Sequence, residues 1–307
     1  MIRSIRWKIV MPVVFVVGTV VVSLTIGIPY ERDSLAIWLL IGLACFSVTD
    51  MRGYFQGVVR DWLPFFAILT AYDALRGVAG HLAPVHYMPQ IDIDRAIFGG
   101  TVPTVWLQHH LWHGHVTWLE VGCWCTYMTH FFFVPLIAAV LWKFDHDRFR
   151  LLVWRVYVLS FAALLTYALF PAAPPWMASE AHLIDPITRI IPNVWLALPV
   201  QGFGTAVEHG YSFANNIAAV PSVHAAFSAL VAVTLWPLTR RVWLRAIIVA
   251  YPLMMAFTVI YTGEHYVSDV LLGWLYTATT VGVVYAVGVW RANRAADAAA
   301  LAQSAAG

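Results

Sequence analysis

The feature that most constrains what this chain can fold into is a series of long stretches with few or no charges. Residues 9–28 carry none and follow Arg3, Arg6 and Lys8; comparable stretches recur at about 34–49, 62–80, 119–142, 150–170, 219–238, 244–262 and 266–290. A membrane-spanning helix needs about 20 largely apolar residues. The pattern therefore predicts an all-α integral membrane protein with about eight transmembrane helices. Composition agrees, since 61% of the 307 residues are apolar and 11% charged, whereas roughly a quarter of a soluble domain is charged. The 15 Trp, 13 Tyr and 17 Phe suit a chain with two lipid–water interfaces, where amphipathic rings collect. The first stretch is longer than a signal-peptide core and no small-x-small cleavage site closes it, so it reads as a retained helix.

Lys and Arg concentrate in cytoplasmic loops, and this orients the array. With both termini cytoplasmic, 14 cations fall on the inner side and only four, Arg32, Arg76, Arg95 and Arg189, on the outer side. Histidine has the opposite bias, because all but His146 lie in outer loops or on helices entered from that side. Histidine chemistry is therefore expected to face outward from the cell membrane. Two outer segments, about 81–118 and 171–218, are too apolar and aromatic for disordered linkers and are expected to form short interfacial helices and turns. The Ala-rich tail after Arg294 is expected to fray.

Some classes are excluded early. A net charge of +2 is too small to argue for nucleic acid. Cys45, Cys123 and Cys125 lie in apolar stretches and lack the second pair that a structural zinc site needs. His109 and His113 have helical spacing and offer a metal-handling alternative, but no outer carboxylate stands at ligand spacing beside them. A transporter would carry paired ionisable groups near the bilayer midplane and often an inverted repeat; no repeat is found here.

Ionisable groups within spanning stretches are costly and are functional candidates by default. The strongest cluster is Pro221-Ser-Val-His224 followed by Gly263-Glu-His265-Tyr-Val-Ser-Asp269, each at the outer start of a predicted helix. His265 and Asp269, four apart, share a helical face, where a carboxylate fixes an imidazole's tautomer and stabilises its cation. Pro221 suits a first helical position, and the free N–H groups of a helix start, with Ser222 adding a hydroxyl, suit a phosphate. Asp73 and Arg76, three apart, read as an ion pair, with headgroup contact as the alternative. Asp92 reads as the cap of a short helix. Asp94 is left between such a cap and a hydroxyl-binding role.

These two motifs, in this order and about 40 residues apart, resemble the second and third signatures of the phosphatidic acid phosphatase type 2 superfamily. Asp94-Arg-Ala-Ile-Phe-Gly-Gly-Thr-Val-Pro-Thr-Val-Trp-Leu-Gln108, Pro171-Ala-Ala-Pro-Pro-Trp176 and Tyr261-Thr-Gly-Glu-His-Tyr266 are most similar to its inositol phosphorylceramide synthase (aureobasidin-target) branch. The resemblance implies two N-terminal helices over 1–60, a six-helix catalytic core over 61–290 and a cytoplasmic tail over 291–307. It also implies a metal-independent, cofactor-free lipid phosphotransferase with a phosphohistidine intermediate. His265 then corresponds to the nucleophile, Asp269 to its orienting carboxylate and His224 to the general acid. The expected partners are a phospholipid donor such as phosphatidylinositol and a lipid alcohol acceptor or water. A lipid phosphate phosphatase acting on phosphatidate or polyprenyl diphosphate is the alternative.

The superfamily's first motif, a Lys and an Arg-Pro at the outer end of the helix corresponding to 150–170, is absent. The Arg that often precedes the third-motif His by six positions would fall at Val259. Phosphoryl transfer needs donors or positive charge on the equatorial oxygens. Arg189 is the first candidate to supply it, with Arg95 and His209 behind. His130 and Tyr127, on the helix over 119–142, are expected to approach the site from below or to bind the headgroup, with a structural histidine as the alternative for His130.

Overall fold

The computed structural model describes residues 2–25, 32–79, 82–197 and 215–306, and every regular element there is helical. The N-terminal pair, α1 (Ile2–Thr25) and α2 (Arg32–Phe46), packs as a hairpin with Phe15 against Trp38. A continuous helical stretch follows: α3 (Met51–Gly57), a π-helical turn over Val58–Trp62, and α4 (Leu63–Ala79). The first outer segment carries α5 (Met88–Ile97) and α6 (Pro103–Leu111), and the second carries α9 (Pro175–Glu180) and α10 (Ile190–Ala197). Between them run α7 (Trp118–Phe144) and α8 (His146–Leu169), joined at Asp145 alone. The chain closes with α11 (Val223–Leu235), α12 (Val242–Tyr261) and α13 (Val267–Ala306).

Five of the eight expected spans are by themselves long and apolar enough to cross a membrane: Trp7–Thr25, Trp118–Phe144, His146–Leu169, Val242–Tyr261 and Val267–Ser304. No more than 39% of any of these windows is buried. The remaining apolar side chains face outward, the pattern of helices whose solvent is lipid. The other three expected spans are shorter helices: α2 with 15 residues, α4 with 17 and α11 with 13. α11 falls short of 219–238 because its start is displaced: Ser222 is the N-cap, so Pro221 precedes the helix and does not occupy its first turn. The tail expected to fray continues α13 to Ala306, as its run of alanines, the best helix former, favours.

The centre is built around α11. Trp62, Phe65, Phe149, Leu152, Leu159, Ala138, Leu141, Leu230 and Val231 form one buried cluster that joins α4, α7, α8 and α11. α11 also packs on α12 and α13. Its small residues permit close approach. A Cβ added at Gly273 of α13 would stand 2.4 Å from the Ser222 carbonyl oxygen, and the Thr277 hydroxyl donates across this seam to the Ala226 carbonyl at 2.8 Å. The short, buried helix that carries His224 in its first turn is thus clamped there.

A backbone clip gathers the outer segments above it. The His86 N–H donates to Pro171 O at 2.8 Å, Ala173 N–H to His86 O at 2.9 Å, and Ala172 N–H to Ile217 O at 2.8 Å. Three stretches distant in sequence are thereby pinned side by side. The Pro171-Ala-Ala run, which stands where the resembling family carries cations, is consumed in this clip.

Candidate active site

The site forms where α12 ends and α13 begins. The α12 chain turns at Gly263, whose φ of +84° lies in the left-handed region that glycine adopts without a Cβ penalty. The N–H groups of Glu264 and His265 then both donate to Val259 O at 3.0 Å. Asp269, in the first turn of α13, accepts the Tyr266 N–H at 2.9 Å and so ties the helix start to the turn that carries His265. Asp94 reaches across from α5 and accepts the N–H groups of Val267 and Ser268 at 3.0 and 2.9 Å. Asp94 thus caps α13 and not a short outer helix. Burial pushes the Asp94 carboxyl up, and these hydrogen bonds pull part of the way back. Asp92 lies exposed within α5 and caps nothing among the described residues.

His265 is almost fully buried. Its Nδ1 lies 3.0 Å from the Ala219 carbonyl oxygen and 3.5 Å from Asp269 Oδ2. Both are acceptors only, so Nδ1 carries the hydrogen and Nε2 keeps its lone pair. That lone pair faces His224 Nδ1 at 3.3 Å, which makes His224 Nδ1–H the donor between the rings. Asp269, buried to 1% exposure, places a negative charge behind His265 where a cation would develop. Chemically the pair is asymmetric: one imidazole presents a nucleophilic nitrogen, the other a proton, and both face the same point.

α7 supplies the wall. The Tyr127 ring stacks on His224 with centroids 4.5 Å apart, and the His130 ring lies 4.2 Å from it. Ser222 is fully buried, and its hydroxyl accepts the Ala225 N–H at 3.3 Å as the N-cap of α11. The Tyr167 hydroxyl donates to Pro221 O at 2.9 Å, and the Ser222 N–H to Asp269 O at 3.0 Å. The approach to His224 is therefore fixed from α8 and from α13.

Arg189, the first cation candidate, forms a bidentate pair with Glu264, at 2.8 and 3.0 Å, and lies over the Trp176 ring at 4.4 Å. Its charge is met by the carboxylate next to His265. Arg95 lies in the last turn of α5. The expected Asp73–Arg76 ion pair is not formed: Arg76 makes no ion pair among the described residues. His209 lies outside the described residues. In the histidine run, His110 stacks on Trp106 and directs Nδ1 to its carbonyl at 2.7 Å. No three His, Cys, Asp or Glu side chains come together as a metal-binding group among the described residues.

Sequence reasoning missed two groups. The Ala219 carbonyl left no trace because a backbone acceptor has no residue type. Glu264 stood in plain view inside Gly263-Glu-His265, and a lone carboxylate beside a motif histidine in a cation-poor half of the chain was signal enough to seek its partner.

Comparison with known proteins places the chain. The sequence model described as the PAP2 superfamily matches residues 91–298. A protein of Bacteroides thetaiotaomicron named phosphoinositol dihydroceramide synthase is 29% identical over 232 residues, 69% of this chain and 71% of that protein. No solved structure matches.

Proposed function

Because the chain belongs to the PAP2 superfamily of lipid phosphatases and phosphotransferases, we propose that it transfers a phosphoinositol-like headgroup from a phospholipid such as phosphatidylinositol to a lipid alcohol. The observation that carries the chemistry is the His265 Nε2 lone pair facing His224 Nδ1 at 3.3 Å, with Asp269 buried behind. The choice of headgroup draws support from the name of the Bacteroides relative and from the flanking segments around Asp94, Pro171 and Tyr261.

In the first half-reaction the His265 Nε2 lone pair forms the N–P bond while the P–O bond to the departing diacylglycerol breaks. The departing oxygen keeps that electron pair and takes the proton of His224. In the second half the acceptor hydroxyl gives its proton to His224, its oxygen forms the new P–O bond, and the N–P pair returns to His265. Asp269 stabilises the His265 cation in between. Neither half needs a cofactor. Both half-reactions occur on the extracytoplasmic side, the termini are cytoplasmic, and Tyr127 and His130 hold His224 in line.

The experiment is to incubate purified protein with head-labelled phosphatidylinositol, and separately with phosphatidate, with and without lipid alcohols, and to follow the label. The expected result is label in a new lipid only when the alcohol is present. Release of inorganic phosphate alone overturns the transferase reading in favour of hydrolysis. Full activity in His265→Ala overturns the mechanism.

A further inference from the structure

The phosphotransfer reading leaves a deficit of charge. A transferring phosphoryl group spreads negative charge over its equatorial oxygens, and enzymes meet it with fixed cations or N–H donors. The two positions at which the superfamily signatures place cations are occupied here by the Pro171-Ala172-Ala173 clip and by the fully buried Val259. Of the four outer cations, Arg189 is neutralised by Glu264, Arg95 lies in the last turn of the outer helix α5, and Arg32 opens α2, whose contacts are with α1, α3 and α7.

We propose that Arg76 is the cation that holds the phosphate over the His224–His265 pair, a function that sequence motifs do not assign to it. Three observations converge. Arg76 occupies the last turn of α4; one turn on, Ala79 packs with Tyr167 of α8 and Val223 of α11 in a single buried cluster. The guanidinium-bearing turn and the His224-bearing turn therefore meet at the same end of the bundle. The local chain is also held: Asn215 Nδ2–H donates to the Arg76 carbonyl at 2.8 Å, and Asn215 Oδ1 accepts the Ile217 N–H at 3.1 Å, which links α4 to the clip whose Ala219 carbonyl orients His265. Finally, the guanidinium is unspent. Its Nε is buried with no hydrogen-bond partner among the described residues, and it forms no ion pair there. A buried guanidinium edge without an acceptor, beside two imidazoles poised for phosphoryl transfer, fits a tetrahedral oxyanion. Arg76 moves no proton and forms no covalent bond; it binds non-bridging oxygens.

The inference rests on the phosphotransfer reading, and the test separates the two. Wild type, Arg76→Gln, Arg76→Lys, Arg291→Gln as a distant control and His265→Ala are purified and checked for elution as intact protein. Each is assayed with head-labelled phosphatidylinositol plus a lipid alcohol, and for inhibition by inorganic orthovanadate. Arg76→Gln is expected to lower kcat by about 10²–10³ and to weaken vanadate inhibition more than about tenfold. Arg76→Lys, which keeps the charge without the fork, recovers both to within about tenfold of wild type, a rescue that a packing role does not produce. If Arg76→Gln keeps wild-type kcat and vanadate inhibition while His265→Ala is inactive, the assignment of Arg76 is wrong and the phosphotransfer reading stands. If wild type moves no label and His265→Ala changes nothing, the reading itself falls. Should Arg76→Gln not elute as intact protein, Arg76→Lys decides: vanadate inhibition near wild type supports the assignment, and its loss overturns it.

Discussion

At the scale of single residues, two carboxylates far apart in sequence, Asp94 and Asp269, do adjacent jobs. Asp269 is within 3.5 Å of His265, yet the shorter contact of that imidazole is to the Ala219 carbonyl. The carbonyl fixes the tautomer and Asp269 contributes charge. Asp269→Asn is therefore expected to leave the ring oriented but to lower kcat by roughly 10²–10⁴, measured on label transfer at matched substrate occupancy. Asp94 acts on structure. Replacing it with Asn leaves one side-chain acceptor for the two N–H groups of Val267 and Ser268, at a cost of about 1–2 kcal/mol, read as a lower thermal midpoint in detergent. The carboxyl also has a pH signature. Burial raises its folded-state pKa above the unfolded value, so the native chain binds the proton more readily and stability rises as pH falls from the folded-state value toward the ordinary aspartate range. Asp94→Asn removes this contribution, and the difference between the two melting-against-pH curves measures it.

At the scale of elements, the proposed transfer depends on the register of α11 against α13. Each histidine stands at a helix terminus, and their 3.3 Å separation is set where Gly273 lets the Ser222 carbonyl approach. Gly273→Ala would put a methyl 2.4 Å from that oxygen, and backbone cannot yield as a flexible side chain does. The expected outcome is a loss of activity out of proportion to the loss of stability, since a displacement of about 1 Å can cost on the order of 10²-fold in rate. Parallel measurement of kcat and thermal midpoint checks it. The elements themselves were largely legible. Each expected span has a helix at its place, because long uncharged runs in lipid have no other way to satisfy their backbone. The exact start of α11 was not, because Pro221 permits either a first helical turn or an extended approach to an N-cap, and the clip and Tyr167 select the second.

At the scale of the whole molecule, sorting of charge proposes an orientation with the site outward. In intact cells carrying a cysteine-free background, a membrane-impermeant maleimide is expected to label His115→Cys, in the first outer segment, and not Ser304→Cys in the tail until the membrane is opened. The reverse pattern would overturn the proposed topology. By itself the sequence determined the solvent of this protein, the helical class, the family resemblance and the pairing of His224 with His265 and Asp269, because hydropathy and local motif spacing are properties of a stretch of chain. Only the tertiary structure decided which acceptor holds His265, that Asp94 caps α13, that Glu264 claims Arg189 and that the last turn of α4, which carries Arg76, meets the first turn of α11. Those are relations between segments separated by tens to more than a hundred residues, and no local pattern encodes them: they follow from packing α4, α8, α11 and α13 around one buried end of the bundle.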